Sequence, residues 1–264
     1  MRAALPVSPD PGMLPEGSPG SMGGPVMRRM QPPSDPPPAA GGRPPRMVRP
    51  GLWLFAPSRD SQGGSAWLLE SQALDVLVDV PAISPAESDW LQQRARLRPG
   101  WIVLTGRQGH GRCRALQRQL GWPVLVQEQE AYLLPDLPAC HTFATERELA
   151  EGLRLLWTPG PTPGACVLHA SGGIAGDGLF CGRLLVPLGP DRLGPLRRPG
   201  TFHWSRQLAS LEQLRRWLPP GSPDWIASGA ALGGLRGAAL VGAGASLLAD
   251  LDLQALRQQP AEGM

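Results

Sequence analysis

All nine tryptophans of this chain lie after Met47, while fourteen of its 32 prolines fall within the first fifty residues. A chain divided so sharply does not fold as one uniform body. Its first fifty residues also hold seven glycines and no aromatic residue, so they bring little to a core that could offset the entropy of ordering. We read 1–46 as a disordered Pro/Gly-rich head and 47–264 as a single domain, long enough to bury a sizeable core. Met13, Met22, Met27, Met30 and Met47 each offer an alternative start, which leaves translation of the head open. Polyproline tendency around Pro36-Pro37-Pro38 sets a docking tail beside a solvated linker as readings of that head.

Charge divides at the same place. Six Arg face three acids in residues 1–50, and nineteen face nineteen beyond, so the body is neutral. A neutral body has no broad electrostatic footprint for nucleic acid. Lys and Asn are both absent. Arg is therefore the only strong cation available, and its frequency alone does not speak for phosphate binding. Cys113, Cys140, Cys166 and Cys181 form no CxxC pair and suggest neither a disulfide framework nor a zinc knuckle. No apolar run of about 7–15 residues near the start suggests a secretory signal. The apolar stretch 230–249 is interrupted by Arg236 and diluted by Gly and Ala, which argues against a membrane span. The expectation is a cytoplasmic protein with no membrane and no nucleic-acid partner.

Within the body, short β-branched and aromatic runs bounded by turn residues predict strands at 51–56, 65–70, 74–80, 101–105, 123–126, 152–157, 165–168, 179–186 and 224–227. Ser84-Pro85-Ala86-Glu87 is a capping box with Pro at the first helical position, so a helix starts there and stops by Pro99-Gly100. Cys113, Leu116 and Leu120 share a helical face that Gly121 ends. A third helix is capped by Ser205 and carries Leu208, Leu211, Leu214 and Trp217 on one face, and a last helix covers 246–258. Residues 127–151 read as irregular. Gly172 to Gly178 lacks the G-x-G-x-x-G pattern of a dinucleotide site and reads as a hairpin turn.

The hairpin 67–70 and 76–79 ending in Asp79, the strand leading to Thr105, the segment Thr158-Pro159-Gly160-Pro161-Thr162-Pro163-Gly164 and the run Leu179-Phe180-Cys181-Gly182-Arg183-Leu184-Leu185 follow in this order. Together they resemble the metallo-β-lactamase superfamily, whose T-H-x-H-x-D-H, T-P-G-H-T-P-G and L-F-x-G-D-x-L motifs they parallel. The likeness spans about 51–256, and the T-P-G segment is its most specific part. It implies an α+β fold, a four-layer αββα sandwich, with two metals at one edge of the sheets.

In that register the ligand positions hold Gly106, Gln108, His110 and Gly111, then Pro161, Arg183 and Ala230. None keeps the family's ligand. A catalytic zinc needs about three His, Cys or carboxylate ligands and an open position for water. Gly, Pro and Ala offer no donor, and a guanidinium repels a metal ion by roughly 4 kcal/mol per unit charge at about 4 Å and an effective dielectric near 20. Zinc is the cofactor the family implies, and none is expected here. No G-x-S-x-G elbow supports a serine hydrolase. The expectation is a degenerate, hydrolase-like protein without catalytic residues, kept for a ligand-binding or scaffolding role. The alternative is a divergent metallo-hydrolase using an unrecognised metal site. Arg183 and Arg107 suggest a small anionic ligand in the pocket, against a simple salt bridge from Arg183 to a nearby acid.

Overall fold

The computed structural model describes residues 43–258, all within one compact unit. The expected head therefore lies almost entirely outside the described residues. In chain order the elements are β1 (Arg46–Arg49), β2 (Leu52–Ser58), β3 (Gly64–Glu70), β4 (Asp75–Val78), α1 (Pro85–Leu97), β5 (Gly100–Val103), α2 (Cys113–Leu120), β6 (Val124–Gln127), β7 (Cys140–Phe143) and β8 (Glu146–Ala150). They continue with β9 (Leu153–Trp157), β10 (Cys166–Ala170), β11 (Gly178–Phe180), β12 (Val186–Gly189), β13 (Arg192–Gly194), α3 (Trp204–Trp217), β14 (Trp225–Ala227), β15 (Val241–Gly242), α4 (Gly244–Asp250) and α5 (Leu253–Gln258). Three 3-10 turns, Arg107–Gly109, Glu128–Leu133 and Leu232–Leu235, punctuate the loops.

Strands β1 to β7 form one sheet in sequential order, antiparallel as far as β4 and parallel from β4 to β7. The second sheet runs β15-β14-β11-β10-β9-β8, antiparallel except for β11 beside β14. Alternation along these strands sends side chains to two faces. Trp67, Val76 and Val103 of the first sheet meet Leu155, Leu168 and Phe180 of the second in a central core. On the outer face of the first sheet, Leu68, Leu77 and Ile102 pack under Leu91 of α1 and Leu116 of α2. Outside the second sheet, Val167, Leu179 and Ile226 pack under Leu208 and Leu211 of α3 and Leu248 of α4. Three cores between four layers make the expected αββα sandwich.

The capping box holds: Ser84 Oγ accepts from Glu87 N, and Ser84 N donates to Glu87 Oε2 at 3.3 Å. Arg94 of α1 and Arg98, which caps its end, clamp the fully buried Asp75 at the start of β4, at 2.7 and 3.0 Å, which fixes that helix on its sheet. Gly121 ends α2 in the left-handed region. Several boundaries differ from the sequence reading. The predicted strand 179–186 is broken, because the chain leaves β11 after Phe180 and turns at Gly182 before β12 begins. Helix α3 starts two residues earlier than a Ser205 cap would set it, capped by His203, whose Nδ1 accepts from Arg206 N. The last helix is two, since Asp252 Oδ1 caps α5 at Gln254 N and Ala255 N. The stretch read as irregular contains β7 and β8, both sheet edges with largely exposed side chains and hence no alternating signal. The apolar stretch 230–249 splits into a 3-10 turn, β15 and part of α4, and no helix among the described residues is long and apolar enough to cross a membrane.

Candidate functional site

The carboxyl ends of β4 and β5 converge on Asp79. This residue takes a left-handed backbone, φ +61°, which a side chain other than glycine adopts only when its surroundings hold it there. They do. Asp79 N donates to Val103 O, and its carboxylate accepts from Thr105 N at 2.8 Å and Thr105 Oγ1 at 2.6 Å. Thr105 O in turn accepts from Cys166 N, tying the end of the first sheet to the start of β10. Burial pushes the Asp79 carboxyl up to about 6; the Thr105 hydrogen bonds and the Arg183 charge oppose that rise, and Glu130 adds to it.

The loop after β5 closes over this carboxylate. A Cβ at Gly109 would stand 2.0 Å from Asp79 Oδ1, so only glycine fits there. From the other sheet, Gly182 (φ +52°) brings its backbone so near that a Cβ would meet Thr105 Oγ1 at 2.6 Å. Arg183 follows and reaches across to the β2–β3 turn, where Nη2 donates to Ser61 O and Gln62 O, both at 2.9 Å. It bonds neither metal-like nor acid-like: its partners are two carbonyls, not the carboxylate the salt-bridge reading expected. Burial lowers its pKa, Asp79 opposes this, and Arg198 adds to the lowering.

Arg183, Gln108 and Pro161 form a wall between two spaces. On one side, Asp79, Thr105, Gly106, Gly109 and Ser65 enclose about 10 Å³, roughly the room one water needs. On the other lies an open groove of about 560 Å³, lined by Arg107, Arg198, Thr201, Gln207, Val186 and Ala230 among others. Of the positions named from the sequence, Asp79, Gly106, Gln108, Arg107, Pro161, Arg183 and Ala230 thus converge. His110 and Gly111 line neither space. His110 is buried behind the loop, with Nε2 3.9 Å from Glu130 Oε2, and neither atom has a hydrogen-bond partner. Burial, then Arg107, lowers its pKa to about 4, so the imidazole is neutral at pH 7 and the pair is no salt bridge.

Glu130, Arg198 and Gln207 were not found from the sequence. Glu130 is buried and accepts from Gly164 N at 3.0 Å, inside the T-P-G segment 34 residues later. Nothing local marks it, for its partners come from other loops. No group of three or more His, Cys, Asp or Glu able to hold a metal occurs among the described residues. The donor set agrees: the positions facing the small space offer a lone carboxylate, a neutral amide and a cation. These residues do not fit a zinc centre.

A second polar cluster lies elsewhere. His169 Nε2 is 2.7 Å from Asp177 Oδ1 and 2.9 Å from Ser222 Oγ, and Ser222 Oγ donates to the same Asp177 oxygen. A nucleophilic triad needs the carboxylate and the serine on opposite ring nitrogens. Here both meet Nε2, so the cluster lacks the triad geometry and pins the turn after α3 to β10.

No family model matches the sequence, and no curated protein matches it. Solved structures do match its fold. The B3 metallo-beta-lactamase BLEG-1 aligns over 74% of this chain and 96% of its own at 17% identity, with a TM-score of 0.52. A B3 metallo-beta-lactamase with an active-site glutamic acid aligns over 82% and 92% at 20% identity and a TM-score of 0.52. The metallo-beta-lactamase SMB-1, bound to 2-mercaptoethanesulfonate, aligns over 79% and 93% at 15% identity and a TM-score of 0.51. The chain has the metallo-β-lactamase fold.

Proposed function

We propose that this metallo-β-lactamase-fold protein binds a ligand at the edge of its sandwich without metal and without hydrolysing it. One observation carries the reading. In the register of the fold's motifs, Arg183 stands where a carboxylate would bridge two metals, and its guanidinium is fixed by Ser61 O and Gln62 O beside Asp79. A guanidinium is charged at any physiological pH. It therefore supplies the positive charge of the site from the protein itself, and it repels a divalent cation. The small space behind it measures about 10 Å³, roughly the room of one water.

What remains open is the groove, within the range of small-molecule pockets. The protein reads as a cytoplasmic binding or scaffolding module rather than an enzyme. Elemental analysis of the purified full chain, with a hydrolysis assay on a chromogenic β-lactam, tests it. Absence of stoichiometric zinc, manganese or iron, with no turnover, is the expected result. One or two tightly held metal ions per chain would overturn the reading and restore that of a divergent metallo-hydrolase.

A further inference from the structure

Three arginines, Arg107, Arg183 and Arg198, line the open groove, and no carboxylate lines it with them. Such an arrangement is unusual within a neutral body of nineteen Arg and nineteen acids. Like charges gathered in one concavity repel, and the repulsion is felt here: Arg198 helps to lower the Arg183 pKa. Elsewhere this chain neutralises its arginines readily, as Arg94 and Arg98 do on Asp75 and Glu70. In the groove, Arg183 uses only one terminal nitrogen, on two neutral carbonyls. The Arg107 and Arg198 guanidinium groups make no hydrogen bond or ion pair with any described residue.

Two further features point the same way. Gln207 of α3 borders this groove and is almost fully buried; its Nε2 donates to Leu184 O, while its Oε1 has no hydrogen-bond partner. A buried acceptor in that state is costly until a donor reaches it. The remaining lining, Val186, Leu196, Pro161, Pro199 and Ala230, is apolar. The groove therefore offers three cations, one acceptor for a ligand hydroxyl or amine, and an apolar floor.

Resting on the reading of Arg183 as a replacement for metal, we propose that the groove binds a small organic phosphate monoester. Arg107, Arg183 and Arg198 hold the phosphate, Gln207 Oε1 accepts from a donor on the organic part, and Val186 and Leu196 cover its apolar surface. A monoester carries a charge of about −1.5 to −2 at pH 7 and three acceptor oxygens. That matches three guanidinium groups better than a carboxylate, which one arginine satisfies in a fork.

The experiment is a thermal-shift and calorimetric titration of the full chain with inorganic phosphate, phenyl phosphate, benzoate and sodium chloride of matched ionic strength. Each titration is run with and without a chelator. Saturable stabilisation is expected, strongest for phenyl phosphate, weaker for phosphate, weakest for benzoate, and unchanged by chelator. Arg107→Gln and Arg198→Gln should each weaken phenyl phosphate by about tenfold or more, the loss of one charged contact. These two carry the test because neither side chain bonds to a described residue, whereas Arg183→Gln releases the β2–β3 turn. No response to phosphate or phenyl phosphate, a response equal to that of chloride, or unchanged affinity in both variants would overturn the proposal. Binding abolished by chelator would overturn it by showing phosphate on a metal, and elemental analysis would then reject the metal-free reading separately.

Discussion

Beneath Arg183 the site is tight: Asp79 is held by Thr105, glycine at 109 leaves no room above it, and about 10 Å³ remains. Beyond Arg183 the groove opens to about 560 Å³, with two arginines that bond to no described residue and an orphaned Gln207 oxygen. On one side the Asp79 carboxylate is held by Thr105, and on the other two arginine side chains bond to no described residue. The difference teaches that substitutions on the tight side should be read in stability and its pH dependence. Those on the open side should be read in binding.

The largest effect expected lies in acid. His110 is neutral in the fold, with a pKa of about 4 against an ordinary 6.5, so its contribution to stability is present above pH 6.5 and is lost as pH falls toward 4. Asp79 has the opposite sign. Its carboxyl, raised to about 6 from 3.8, contributes most below pH 3.8 and loses that contribution as pH rises through 6. Each shift corresponds to about 3 kcal/mol, and in the native chain they largely cancel between pH 4 and 6. Asp79→Asn should unmask the histidine, with urea-unfolding free energy falling by about 3 kcal/mol from pH 6.5 to 4 relative to the native chain. His110→Gln should show the reverse slope. Equal slopes in both variants would break the picture of a tight interior.

Gly109→Ala comes next. Its methyl would press on a carboxylate that two hydrogen bonds hold in place, costing about 2–3 kcal/mol in chemical denaturation. A neutral result would mean that the tight side has slack. Arg183→Gln sits on the wall and should cost about 1–2 kcal/mol through the lost hydrogen bonds to Ser61 O and Gln62 O. It should also raise the Asp79 carboxyl further above 6, because the attraction that restrains it is gone, as a carbon-13 titration of the carboxyl would show. The smallest effect is expected from deleting residues 1–42, which should move the melting temperature by only a few degrees. A large drop, or a gain in phosphate affinity, would place the head against the open groove.

Most individual strands and helices were legible from the sequence, because alternation and helical spacing are local, while their layering was implied only by the resemblance that its motifs carry. The capping box of α1, formed within four residues, was legible too; the family register, for its part, reads 106, 108, 110, 111, 161, 183 and 230 as positions without the family's ligand. The edge strands β7 and β8 were not legible, since exposed edges need no apolar alternation. Nor was the partner of Arg183: two backbone carbonyls about 120 residues away leave no mark in a sequence, whatever residues carry them. Only the tertiary structure turned His110 inward to Glu130 and set Arg107, Arg183 and Arg198 around one groove. Those placements depend on loops from both sheets meeting at one edge, and such long-range packing is written in no single segment of the chain.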